Sequence, residues 1–250
     1  MEPTKVKPTL YRLLFTSLLF ASGIILSAAC TKNKTAIRMA SNTQMNTSMP
    51  DSGAKKYLAL GDSYTIGTAV AEAERYPVQT AVLLKAQGMP VKVDIIAMNG
   101  WTSSELLYAV KEKAVAIDYD AVSLLIGVNN QYQGKSIAAY KEDFTLLLER
   151  AIQLANGKAD HVFVLSIPDY SVTPFATGSN RQKIATEIDA FNVANKLIAD
   201  DLKVHYLDVT TASRKAANDP SLVAADGLHF SGKEYSDWAF HLAAIMKVAL

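Results

Sequence analysis

A serine, a histidine and an aspartate stand in this sequence where acyl-transfer chemistry can be assembled. Ser63 follows Gly61-Asp62 at the end of the apolar run "YLAL" (57–60). Asp226 and His229 lie three apart in "ADGLHFSGKEY", a glycine-containing stretch just ahead of the last helical pattern. Such a loop can fold so that the carboxylate accepts from the imidazole Nδ1–H, which leaves Nε2 facing outward as a base. Two further polar positions follow apolar runs. Gly100 in "NGWTSSE" has an amide that no side chain obstructs, and Asn129 in "GVNNQYQG" has a carboxamide able to donate a hydrogen bond. Together these are the parts that acyl transfer needs: a nucleophile, a base with its orienter, and donors for a developing oxyanion.

Each part has a plainer reading when taken alone. Asn99-Gly100 is a tight-turn dipeptide, Asn129 a helix cap, and His229 a partner for a backbone carbonyl. The serine also has a rival chemistry. Hydroxyl-rich first loops bind flavin phosphate in flavodoxins, and Ser63, Thr65 and Thr68 offer the same groups in "GDSYTIGT". P-loop spacing is not met, because five residues separate Gly61 from Gly67 and Thr68 stands where Lys is required. The GxGxxG fingerprint and the GxSxG turn are both missing. A phosphate-binding domain would explain the first loop but leave Asp226 and His229 without a task. Nothing in the sequence assigns Asp62 a catalytic step.

The elements that must position these residues alternate. Apolar runs at 57–60, 91–98, 120–128, 161–167 and 204–210 read as five strands. Between them, helical spacing runs over 76–87, 103–115, 136–156, 181–202 and 232–249, with Pro77 in a first turn and a Thr-Ser-Ser cap before Glu105. Strict alternation predicts an α/β fold. It is a three-layer α/β/α sandwich around a five-stranded parallel sheet, flavodoxin-like, occupying residues 55–250. In such open sheets ligands sit beyond the carboxyl ends of the strands. Ser63, Gly100 and Asn129 each follow a strand, so they fall on that rim. His161 and His205 open strands at the opposite end and His241 lies inside the last helix, which marks all three as structural.

The whole chain narrows the classes further. It has 250 residues, half of them hydrophobic, enough for one sizeable core. A net charge of +1 with no basic stripe gives it no electrostatic claim on nucleic acid. Four His, one Cys and no CxxC, HExxH or acidic calcium loop predict neither a metal site nor a cofactor.

The single Cys belongs to a different part of the chain. Lys5, Lys7 and Arg12 precede an apolar stretch from Leu13 to Leu26, and small residues lead to Cys30. This order describes a secretory signal over residues 1–29, whose apolar stretch is too short to favour a spanning helix. Ala28-Ala29-Cys30 resembles the lipobox of bacterial lipoproteins, with Ser27 where the commonest version has Leu. The expectation is an exported protein whose Cys30 carries lipid, anchored to a membrane of the bacterial cell envelope; plain secretion and an uncleaved anchor are the alternatives. Residues 30–54, without an aromatic and rich in Ser, Thr and Asn, read as a flexible tether.

Four of the blocks already quoted resemble those of the SGNH/GDSL hydrolases, in the same order. "GDS" matches the first block, which implies Ser63 as nucleophile and its amide as an oxyanion donor. "NGWTS" is similar to the Gly block and implies Gly100 as second donor. Gly127-Val128-Asn129-Asn130 is similar to the Asn block and implies Asn129 as third donor, with Asn130 where Asp is usual. Asp226-Gly227-Leu228-His229 matches the last block. The resemblance implies a serine esterase working through a Ser-His-Asp acyl-enzyme on small acyl esters, lysophospholipids or acylated glycans. A catalytically silent relative is the remaining alternative. Tyr64, Trp101, Tyr132 and Phe175 lie on loops near strand ends and are candidates for the crevice mouth. Phe175 belongs to a Pro- and Gly-containing loop, 168–178, placed to cover the site.

Overall fold

The computed structural model describes residues 53–113 and 115–250. The leader, Cys30 and all but the last two positions of the expected tether lie outside the described residues.

Five strands form one parallel sheet: β1 (Lys55–Gly61), β2 (Val91–Ala97), β3 (Ala121–Leu125), β4 (Val162–Leu165) and β5 (His205–Leu207), in the order β2-β1-β3-β4-β5. Order reverses between β1 and its two neighbours, and the ends of β1 and β3 therefore open the crevice where such sheets bind ligands. Expected burial on both faces holds for the central strands. Every residue of β3 and β4 is buried, as is β1 from Tyr57 onward. The edge strands β2 and β5 are half-buried instead.

The helices are α1 (Ser63–Ile66), α2 (Tyr76–Ala86), α3 (Ser103–Glu112), α4 (Val128–Tyr132), α5 (Ile137–Leu154), α6 (Arg181–Asp201), α7 (Thr210–Ser213) and α8 (Gly232–Ala249). α2 packs on α8, while α3, α5 and α6 pack in a row as a second layer. In α5 the apolar spacing does what it predicts, burying Tyr140, Phe144, Leu147, Leu148, Ala151 and Leu154. The cap before α3 forms, with the Thr102 amide and hydroxyl both donating to the Glu105 carboxylate at 2.8 Å.

Two strands are shorter than their apolar runs. The third ends at Leu125, because Gly127 takes a φ of 131° and the chain enters α4 at Val128. The fifth ends at Leu207. Asp208 then accepts the Thr211 amide at 3.1 Å and turns the chain into α7, while Val209 stays buried outside the sheet. Apolarity reports burial, and in both places burial continues past the ladder.

Candidate active site

The first functional turn is built by close packing at the end of β1. Asp62 caps α1: its Oδ1 accepts the Tyr64 amide at 3.0 Å, and its carbonyl accepts the amides of Thr65 and Ile66. Gly67 closes this single turn with a φ of 70°. Ser63 is the first helical residue, so its own amide has no carbonyl inside the helix to bond.

The second functional loop precedes α8. Gly227, at a φ of 73°, lets the chain double back so that Asp226 Oδ1 accepts the amides of Leu228 and His229, both at 3.0 Å. Asp226 Oδ2 lies 2.6 Å from His229 Nδ1. Burial pushes the Asp226 carboxyl up, but the His229 ring and these two amides outweigh it and hold the group below its ordinary value. The His229 carbonyl accepts the Ala224 amide at 2.8 Å, and Val223 bridges Phe230, which fixes the base of the loop. The imidazole is mostly buried and packs edge-on against Tyr64, with ring centroids 5.6 Å apart.

Ser63 and His229 line one cleft of about 130 Å³ together with Asn129. Asn129 Nδ2 donates one hydrogen to the Trp101 carbonyl at 2.9 Å, which leaves its second for the cleft. Gly100 sits at a φ of 82° in the turn that ends at Trp101. It is exposed and does not line the cleft; its link to the site is the adjacent Trp101 carbonyl held by Asn129.

The Ser63 turn, the Asp226-His229 pair and the Asn129 carboxamide thus meet at one rim of a parallel sheet. Residues 59–235 match the GDSL-like Lipase/Acylhydrolase family. The chain belongs to that family. It is accordingly a hydrolase acting on ester bonds. No curated protein matches the chain by sequence. Solved structures share the fold of this GDSL-like chain. "TesA" superposes with a TM-score of 0.63 at 18% identity, covering 78% of this chain and 100% of its own. The psychrotrophic esterase EstA from Pseudoalteromonas sp., solved with monoethylphosphonate as inhibitor, gives 0.58 at 16%, covering 78% and 100%. Axe2, an acetylxylan esterase from Geobacillus stearothermophilus, gives 0.60 at 20%, covering 77% and 94%.

Within the GDSL-like site, the hydroxyls that a phosphate would need do not converge. Thr65 Oγ1 is buried against the Tyr76 hydroxyl at 3.3 Å, and Thr68 Oγ1 donates to Asn99 Oδ1. Only Ser63 of the three lines the cleft. Among the described residues no cluster of three or more His, Cys, Asp or Glu is arranged to hold a metal. The other histidines are placed elsewhere: His161 Nδ1 is 2.7 Å from the Asp120 carbonyl, His205 stacks on Phe163, and His241 Nδ1 is 2.9 Å from the Asp237 carbonyl.

Of the four candidate aromatics, Tyr64, Tyr132 and Phe175 line the cleft. Trp101 does not; it borders a separate hollow with Tyr108 on the outer side of α3. Sequence reasoning missed Tyr170, which completes the cleft wall beside Phe175. Its signal was its place in the loop after the fourth strand. Asn130, the departure from the usual Asp, has a definite partner. Its Oδ1 accepts the Ser103 amide at 2.9 Å, while its Nδ2 donates to Ser103 Oγ at 2.7 Å. That frees the Ser103 hydroxyl to donate to Asp143 at 2.9 Å. A carboxylate here could also accept the Ser103 amide, but it would take the Ser103 hydroxyl proton that the carboxamide leaves for Asp143.

Asp62 is the other residue without an assigned role. It is fully buried, its Oδ2 has no hydrogen-bond partner among the described residues, and desolvation raises its carboxyl from 3.8 to about 7 against the pull of the Tyr64 amide. Burial thus shifts an ordinarily ionised acid toward its neutral form directly beside Ser63.

Proposed function

We propose that the protein cleaves carboxylic esters in two steps through an acyl-enzyme on Ser63. His229 Nε2 takes the Ser63 proton as Oγ bonds to the ester carbonyl carbon, whose π pair moves onto oxygen. The Ser63 amide and the free Asn129 Nδ2 hydrogen receive that oxyanion. The Gly100 amide, the second donor that the family resemblance implies, lies outside the cleft and reaches this oxyanion only if the turn before Trp101 shifts inward. As the tetrahedral species collapses, the bond to the alcohol oxygen breaks and His229 returns its proton to the leaving group. Water then repeats the sequence on the acyl-enzyme. Asp226 keeps Nδ1 protonated and stabilises the charge on the ring.

One observation carries this reading: the 2.6 Å Asp226–His229 contact behind a cleft that Ser63, His229 and Asn129 share. The substrates are esters of small acyl groups, acylated glycans or lysophospholipids. In the same reading, lipid on Cys30 holds the domain at a bacterial envelope membrane where such esters are within reach. The deciding experiment is labelling with a fluorophosphonate probe beside turnover of p-nitrophenyl acetate. Wild type is expected to label at Ser63 and turn over, and Ser63→Ala to do neither. Full esterase activity in Ser63→Ala would overturn the assignment.

A further inference from the structure

Resting on the Ser63 acyl-enzyme reading, the size and construction of the cleft narrow the acyl group. Its volume is about 130 Å³. Pockets for drug-sized ligands occupy roughly 300–1,000 Å³. A cleft well below that range suits a short acyl group better than a long chain.

Three of the rings that line it contact one another. Tyr132 from α4 lies 6.3 Å from Tyr170 and 6.1 Å from Phe175, and Tyr170 lies 6.2 Å from Phe175, centroid to centroid. Each ring touches the other two, so no one of them swings aside without breaking two contacts. The backbone beneath is strapped down as well. The Tyr170 hydroxyl donates to Gln131 at 3.0 Å, and Gln131 donates to Glu187 of α6 at 2.8 Å. The Arg181 guanidinium bonds the carbonyls of Ser171 and Thr173. The Phe175 amide donates to the Gly227 carbonyl at 2.8 Å, which joins this loop to the one carrying Asp226 and His229. The loop 168–178 therefore stands as a fixed wall of the catalytic centre, where the sequence suggested a cover.

We propose that Tyr132, Tyr170 and Phe175 set acyl-chain length, and that the substrates are esters of short acyl groups, acetyl to butyryl. Longer chains meet rings that the strapped loop cannot withdraw. The two outer rings, Tyr132 and Phe175, are 61% and 46% exposed, so truncating either leaves the core intact.

The test is a series of p-nitrophenyl acetate, butyrate and octanoate on the full chain, with fluorophosphonate labelling of Ser63 in parallel. Wild type is expected to lose about tenfold or more in kcat/KM between butyrate and octanoate, on the scale of one group misfitted in an apolar pocket. Phe175→Ala and Tyr132→Ala are each expected to raise the octanoate-to-acetate ratio by about tenfold. If Phe175→Ala does not fold, Tyr132→Ala at the more exposed position decides. Octanoate turned over by wild type as fast as acetate, with Ser63 labelled, overturns the wall alone. So does a ratio unchanged in the folded variants. Neither labelling nor turnover of any ester overturns the acyl-enzyme reading, and the wall falls with it.

Discussion

Asp226 holds His229 twice: Oδ2 lies 2.6 Å from the ring Nδ1, and Oδ1 accepts the His229 backbone amide at 3.0 Å. One carboxylate therefore shapes the loop and aims the ring it contains. Its lowered pKa means that this grip is fully present above about 3.8 and is lost as pH falls through the folded value.

The double hold separates two substitutions. Asp226→Asn keeps an oxygen for the two amides but turns an NH₂ toward Nδ1, which forces the ring proton onto Nε2 and removes the base. We expect kcat to fall by about 10⁴, with thermal unfolding nearly unchanged. Asp226→Ala loses the loop bonds too and is expected to lower stability by about 1–2 kcal/mol in addition. Equal unfolding temperatures for the two variants would show that Oδ1 does not hold the loop.

Asn129 gives a second prediction. One Nδ2 hydrogen is on the Trp101 carbonyl, and in the proposed mechanism the other serves a charge that exists only in the transition state. Asn129→Ala should cost about 10²–10³ in kcat with little change in KM. Asn129→Asp, similar in shape but without a donor, should be no better. Recovery of kcat in the aspartate variant would refute donation as the role.

Much of this was legible because each piece has a local signature. Strand, turn and helix signals placed Ser63, Asn129 and His229 on one rim before any contact was known, since the ends of parallel strands share an edge. The ends of β3 and β5 were not legible, because Ile126 and Val209 are buried without being in the sheet. Trp101 was misplaced for a related reason: one loop presents residues to both of its sides, and composition does not say which. Asp62 was invisible for the opposite reason. A carboxylate after a glycine reads as an exposed turn, and only the tertiary packing, which leaves Asp62 fully buried, makes it a desolvated one.

That burial predicts an unusual pH response. The folded pKa of Asp62, about 7, lies above its ordinary 3.8. Between those values the folded protein holds a proton that the unfolded chain has released. Stability from this group therefore falls as pH rises through that window, by roughly 1.4 kcal/mol per unit, and levels off above it. Asp62→Asn keeps a good cap and an acceptor for the Tyr64 amide, yet never ionises. Urea unfolding at pH 4 should give similar stabilities for both proteins, and at pH 7.5 the variant should be the more stable. Parallel curves across the range would mean that Asp62 ionises freely in the fold.

The break in the sequence at Gly61 has a steric cause that can be tested in the same way. A Cβ there would lie 2.1 Å from Thr65 Oγ1 and 2.5 Å from the Leu125 carbonyl oxygen. The first belongs to a buried side chain bonded to Tyr76, and the second to the neighbouring strand β3. Neither can retreat without lifting α1, which carries Ser63, or parting β1 from β3. Gly61→Ala should therefore destabilise by about 1–3 kcal/mol, read as a lower urea midpoint at constant slope. It should also reduce kcat, because Ser63, the proposed nucleophile, moves with α1. Removing the hydroxyl by adding Thr65→Ala should not restore either quantity, since the clash with the Leu125 carbonyl remains. Full rescue by that second substitution would place the constraint in the Thr65 side chain rather than in the strand end.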